Sequence, residues 1–273
     1  MQETPCPGSG HLMLISPERV FYAGLLGRPR RRQSGGFSIY TSLAGNLRVA
    51  IDGHETRSGV IVIVPPYLAH SVESDHLTVT SLVIEPETIA PGALDALAQA
   101  DDEVHQRLAL RIRAAYDDLA SSRRRDGFTT AEFDAIFFAK PLPRRDIDPR
   151  IARAIACLGD FTGNAVTAAD CAALANLSQS RFLHLFKDET GVAFRAFRAW
   201  KRARHMLHFV NEDINLAHLA QDIGYPDSTH FSHSIRRFYG LKPRAIFSGS
   251  RDLAIYRGDP QVSQGSLLRQ GRA

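Results

Sequence analysis

The chain has 273 residues, 44% of them hydrophobic, with 33 Lys/Arg against 29 Asp/Glu and a pI near 9.1. That length suits two ordinary domains, each able to bury a normal core. No apolar run is long enough to span a membrane, no basic and then apolar leader opens the chain, and Cys6, Cys157 and Cys171 are too scattered for a disulfide framework or a metal site, so we expect a cytoplasmic protein without a membrane partner.

The first third reads as strand. Residues 37–43, 47–51, 60–64 and 77–84 are rich in β-branched and aromatic side chains. Leu47, Val49 and Ile51 alternate with small or polar residues, and Asp52-Gly53 is a hairpin turn signal. Short strands separated by turns predict a small antiparallel barrel or sandwich. From residue 93 to about 139 the period becomes helical. Leu97, Val104, Leu108, Ile112 and Leu119 form an apolar stripe, suited equally to packing on its own barrel or to dimerisation.

The segment "KPLPRRDIDP" holds three prolines and reads as a linker over 141–148. Asp148-Pro149 then starts a helix, an acid at the cap followed by proline. Helical pattern continues to about Phe247, and 251–273 reads as a polar, disordered tail. Charge follows the same division. Residues 150–251 hold 14 Lys/Arg and 8 Asp/Glu, whereas the remainder holds 19 and 21. The basic excess sits in one segment, as expected for contact with a polyanion.

That segment contains a repeat. Ala172 and Ala220, and Asn176 and Gly224, stand 48 apart; Ser178 and Asp227, Phe182 and Phe231, and Gly191 and Gly240 stand 49 apart. Pro226 is the added residue. Asn176 and Gly224 tolerate the positive φ of a tight helix exit, and Ser178 and Asp227 are good caps for the next helix. Thr167 and Asp170 make a capping box. Each copy is helix, turn, helix. The second helices turn Phe182/Phe186 and Phe231/Ile235 inward. Their outer faces carry Ser180, Arg181, His184 and Lys187 in the first copy, and Ser228, Thr229, Ser232, His233, Arg236 and Arg237 in or beside the second. Such side chains reach base edges and phosphates in a major groove. The helix between the copies, with Phe194, Phe197, Trp200 and Ala203 on one side, would fix their separation.

These residues resemble the AraC/XylS family of transcription regulators. The likeness covers about 148–247 and rests on "LSQSRFLHLFKDETG" and on "IGYPDSTHFSHSIRRFYGLKP". Gly224, Tyr225, Asp227, Phe231, Ser232, Arg236, Gly240 and Pro243 stand at matching places; Leu183, His205 and Ile235 depart from the pattern. The family often carries a cupin-like barrel ahead of this domain, and "GVIVIVPPYLAH" resembles the second cupin motif. The His-x-His and carboxylate of a metal cupin are not found, so no metal, cofactor or catalytic residue is assigned. The resemblance implies an α+β chain: a cupin-like antiparallel barrel with accessory helices over 1–140, and a double helix-turn-helix domain over 149–250. It implies double-stranded DNA as partner, a small-molecule effector near Tyr22, Tyr40, Tyr67 and His70, a homodimer, and RNA polymerase if the protein activates. The alternative is a cupin-type enzyme whose helical domain is a scaffold.

Overall fold

The computed structural model describes residues 11–26, 28–122, 126–159 and 166–259. Eight strands come first: β1 Leu12–Ile15, β2 Arg19–Leu25, β3 Phe37–Ser42, β4 Leu47–Ile51, β5 Arg57–Gly59, β6 Ile61–Val64, β7 His70–Ser74 and β8 Thr78–Ile84. A ninth, β9 Ala254–Arg257, returns from the far end of the chain. One sheet has the order β6-β3-β8-β2-β1-β9 and the other β5-β4-β7. All pairings are antiparallel except that of β9, which lies parallel to β1 with Leu12 opposite Ala254. The expected disordered tail therefore needs correction. Residues 254–257 are an edge strand, Gly258 bridges to Phe128, and 260–273 lie outside the described residues. Four residues are too few to announce a strand by alternation; β1 supplies the partner.

Strict alternation assigns each face of the large sheet. Leu12, Leu14, Phe21, Ile39, Leu82 and Ile84 face α1 Ala93–Ala98, α2 Asp102–Ser121 and α3 Thr130–Phe138. Leu108, Ile112 and Leu119 of α2 are buried in this same core, so the apolar stripe is spent within its own domain. Arg19 of β2 and Asp134 of α3 close the layer with a buried two-point ion pair, 2.8 and 3.2 Å. On the opposite face, Tyr40, Val62, Val64 and Val79 meet Leu47, Val49, Ile51 and Val72, the last from β7 and the others from β4. This end is the two-sheet sandwich. Met13, Ile15 and Val20, further along, pack against the C-terminal helices.

His70 is fixed inside the sandwich. Its Nδ1 lies 2.8 Å from the Leu68 carbonyl, which can only accept, so Nδ1 carries the proton and Nε2 accepts from the Tyr40 hydroxyl at 2.8 Å. Burial pushes its pKa down to about 4, against a smaller upward pull from the Leu68 carbonyl.

The helices that follow are α4 Pro149–Gly159, α5 Ala168–Leu174, α6 Gln179–Thr190, α7 Phe194–His205, α8 Leu216–Asp222, α9 Ser228–Tyr239 and α10 Pro243–Gly249. They build two cores. Ile151, Leu158, Cys171, Phe182, Phe186, Phe194 and Phe197 make the first. Trp200, Met206, Leu219, Phe231, Ile235 and Phe238 make the second, together with Met13, Ile15 and Val20 of the sheet. Helix α7 gives its first half to one and its second half to the other.

A buried charge cluster joins the two parts of the chain. Glu85 and Glu87 follow β8; Lys201 and Arg204 project from α7. Lys201 Nζ lies 2.7 Å from Glu85 and 2.5 Å from Glu87, and Arg204 Nε lies 2.9 Å from Glu85. Trp200 Nε1 donates to Glu85 at 3.0 Å. Arg204 also donates to the backbone carbonyls of Ser16 and Arg19. Burial alone would raise the Glu85 pKa, but Lys201 and Arg204 outweigh it and hold the carboxyl below its ordinary range. For Glu87 burial prevails and raises the pKa, with Lys201 opposing and Glu85 adding to the rise. Gly35 belongs to this joint: a Cβ there would sit 2.3 Å from the Trp200 ring, so only glycine admits the indole.

Two outcomes follow from this packing. Glu85→Gln should cost about 3–5 kcal/mol in urea unfolding, because Lys201 and Arg204 stay buried with their partner neutralised. A loss below about 0.5 kcal/mol would show the cluster to be solvated in solution. Acid should also destabilise the fold. The folded pKa of His70 is depressed from 6.5 to about 4, so its contribution is complete above pH 6.5 and is lost as the pH falls toward 4. His205, at about 4, and His208, at about 3, act in the same sense. His70 alone accounts for about 2 kcal/mol between pH 7 and pH 5. The urea midpoint of His70→Gln should therefore drop less over that interval than that of the natural chain.

Candidate nucleic-acid interface

Each helix-turn-helix is built by local chemistry that the repeat makes visible. In the first, the Thr167 side chain accepts from the Asp170 amide while Asp170 accepts from the Thr167 amide, starting α5. Asn176 then exits at φ 53°, and Ser178 caps α6 by accepting from the Arg181 amide. In the second, Asn215 caps α8, Gly224 exits at φ 83°, and Asp227 caps α9 by accepting from the His230 amide at 2.8 Å. Both second helices end on glycine at φ 75°, Gly191 and Gly240. Close packing within each pair uses buried Ala172 and Ala220, 3% and 0% exposed. The two copies thus share caps, turn and packing residue, not just spacing.

The outward faces stand as the inward ones require. Phe182, Phe186, Phe231, Ile235 and Phe238 are buried. Ser180, Arg181, His184 and Lys187 on α6 are exposed, and so are Ser228, Thr229, His233 and Arg236 on α9, with Ser232 half-buried. Arg181, Lys187 and Arg236 have no ion-pair partner among the described residues. Ser228, Thr229, Ser232, His233 and Arg236 surround a shallow depression of about 360 Å³ whose sixth wall is Lys242. Sequence reasoning overlooked Lys242. It lies beyond the helix C-terminus, and only the turn after Gly240 brings it back beside Arg236. The depression sits at a helix start, where free backbone amides favour an anion.

Arg237 is placed differently. Its Nε donates to the Gln33 side chain at 2.8 Å, and its own carbonyl accepts from the Gln33 amide at 3.0 Å. It stands against the N-terminal part of the chain, away from the group around Arg236. The residues expected to hold an effector also separate. Tyr22 and Tyr40 line a cavity of about 320 Å³ between the large sheet and the C-terminal helices. His70 does not line it; it backs the cavity wall through Tyr40 and through the Arg32 backbone, with both ring nitrogens already engaged. Tyr67, at φ 60°, sits in the joint, where its carbonyl accepts from Gln33 at 2.7 Å. The barrel interior beneath Tyr40 is filled by valine, leucine and isoleucine.

Comparison with known proteins agrees with this geometry. Residues 171–248 match the family described as a helix-turn-helix domain. The HTH-type transcriptional activator RhaS of Escherichia fergusonii is 33% identical over 111 residues, 40% of this chain and 39% of that protein's length. The chain therefore aligns with well under half of that curated relative. Among solved structures, ToxT from Vibrio cholerae bound to an unsaturated fatty acid superposes with a TM-score of 0.52 at 14% identity, covering 85% of this chain and 94% of the other. A further ToxT structure from Vibrio cholerae O395 gives 0.51 at 11% identity over 85% and 98%. At such identities the likeness is one of fold: a sheet-rich N-terminal domain followed by a helical domain with two helix-turn-helix units. With the repeat, its caps and the matched region in agreement, residues 171–248 carry a helix-turn-helix domain of the matched family.

Proposed function

We propose that the protein is a sequence-specific DNA-binding transcription regulator whose activity answers to a small molecule. The observation that carries the first half is the pair of capped recognition helices, α6 and α9, with unpaired cations and hydroxyls outward on both. Arg181, Lys187, Arg236 and Lys242 supply phosphate contacts; His184 and His233 face base edges. Because α7 is shared by both cores, the two helices are carried as one body. One chain then addresses successive major grooves, about 34 Å apart. Arg237 is assigned to the joint with Gln33 and not to DNA. The division into an N-terminal domain to residue 140, a linker over 141–148 and a DNA-binding domain over 149–250 is part of this proposal, with β9 as a strand handed back to the first domain.

The effector half is supported by the cavity between the domains and by the fatty acid bound in ToxT. Activation, as described for RhaS, is the direction we infer, with RNA polymerase as the further partner. A homodimer remains part of the proposal, but it would not use the α2 stripe, which is internal.

Selection of bound duplexes from a random library tests the reading and yields the operator. On the selected duplex, His233→Ala should weaken binding by about 1–3 kcal/mol and relax preference at one position, leaving random DNA unaffected. Arg236→Ala and Lys242→Ala should weaken both classes of DNA evenly, and each should reduce the salt slope by about 1. Binding that ignores salt, or no enrichment of any sequence, would overturn the reading.

A further inference from the structure

The N-terminal domain sends its most basic stretch to the end of the second recognition helix. Residues 28–32, between β2 and β3, read Arg-Pro-Arg-Arg-Arg. They run against the balance of the chain outside the 150–251 segment, which holds 19 Lys/Arg and 21 Asp/Glu. Arg28, Arg30 and Arg31 are exposed. Arg32 is pinned through its backbone to His70, and Arg31 is engaged with Asp52 at 2.9 Å. Arg28 and Arg30 have no ion-pair partner among the described residues. Two contacts place this loop. The Gln33 amide donates to the Arg237 carbonyl of α9 at 3.0 Å. The loop also lies against Gly240, where a Cβ would meet the Arg30 Cβ and the Arg31 carbonyl at 3.1 Å each. Helical period puts Thr229, His233, Arg236 and Gly240 in one line along α9. The loop therefore closes over the far end of the face that carries His233 and Arg236, on the side where Lys242 returns.

We propose that this loop is a DNA-contacting element of the N-terminal domain, in which Arg28 and Arg30 grip phosphates just beyond the bases that α9 faces. The negative end of the α9 dipole attracts cations, but backbone donors already serve it. The Gln33 and Gly240 amides donate to the carbonyls of Arg237 and Arg236. The two guanidinium groups are left for an anion from outside. Their fork of donors suits phosphate oxygens, and they continue the line of cations begun by Arg236 and Lys242. Pro29 between them restricts the backbone, and Arg31 and Arg32 on the following side are held, so little ordering is required on contact. The inference rests on the DNA-binding reading above and adds a contact from the other domain. It makes the complex asymmetric: phosphate contacts extend past the second recognition helix on one side only. It also ties the joint to the operator, because the same loop holds Arg237 through Gln33.

The full-length protein is titrated onto the selected duplex by fluorescence anisotropy across a salt series. Arg28→Ser/Arg30→Ser should lower the slope of log K against log salt by about 2, so that the natural chain loses roughly tenfold more affinity than the variant between 50 and 200 mM salt. Arg28→Lys/Arg30→Lys should keep the slope. Arg107→Glu, on α2 across the large sheet, changes the net charge by the same amount and should leave the slope unchanged. Trimming the duplex stepwise from either end locates the contact. The natural chain should lose affinity early on one side, and the serine variant should lose that asymmetry, each protein with an unchanged circular dichroism spectrum. An unchanged slope in the serine variant, or an equal fall in Arg107→Glu, would overturn the inference. So would tighter binding by the serine variant, which would mean that the loop obstructs the groove. Salt-dependent binding of the selected duplex with equal slopes removes this inference alone; no selected duplex removes the DNA-binding reading and the inference with it.

Discussion

A single buried carboxylate, that of Glu85, determines how the two halves of the molecule meet. It leaves the end of β8, reaches the flank of α7, and receives Trp200, Lys201 and Arg204 there. Removing a carboxylate from water costs several kcal/mol, and only close, well-directed partners offset it. Here all of those partners come from the other domain. Pulling the domains apart would return four charges to water, so the cluster contributes little net stability. What it supplies is specificity. Any displaced packing of α7 on the sheet leaves Glu85 or Arg204 buried and unmatched, whereas an apolar joint would tolerate sliding. The close fit of Gly35 under the Trp200 ring acts in the same direction, through shape instead of charge.

The DNA-binding half was legible in the sequence because its determinants are local. Caps, positive-φ turn residues and inward phenylalanines lie within a few positions of one another, and they occur twice. Duplication at 48 and 49 residues tests each assignment against its copy. The faces of α6 and α9 then followed from helical period alone. The joint was illegible for the opposite reason. Glu85 and Lys201 are 116 positions apart. "LVIEP" reads as the unremarkable end of a strand, and Lys201 as one more cation in a basic helix. No spacing rule connects them. Strand β9 was missed likewise, since an edge strand of four residues has no signature without the strand beside it.

The cavity shows a subtler limit. Tyr22 and Tyr40 were expected to line a pocket of the barrel, whereas they line a cavity between the large sheet and the C-terminal helices. Alternation puts both on the same face of the large sheet. Sequence cannot say that β4, β5 and β7 cover one end of this face while helices α7, α9 and α10 cover the other. The hollow arises where the two coverings fail to meet. His70 looked like a ligand-facing residue because the cupin motif puts a histidine there. In the fold its two nitrogens serve Tyr40 and Leu68, and it secures the wall from behind.

The two recognition helices are consequently unequal in their attachment. The first core draws all its buried members from residues 151–197 and none from the sheet. The second includes Met13, Ile15 and Val20, and its chain continues through α10 into β9, inside the N-terminal sheet. Gln33 holds Arg237 from the side. The second helix-turn-helix is thus tied to the N-terminal domain by a shared core, a strand and a side-chain clasp. The first is tied chiefly through α7 and the linker. A conformational change in the N-terminal domain reaches α9 directly, and reaches α6 through α7, through the contact of α6 with residues 86–88 and through the linker, where the Asp148 amide donates to Glu189. Two states of the joint would therefore differ in the placement of α9 against the sheet, whereas α6, which meets the N-terminal domain at residues 86–88, is less constrained by it.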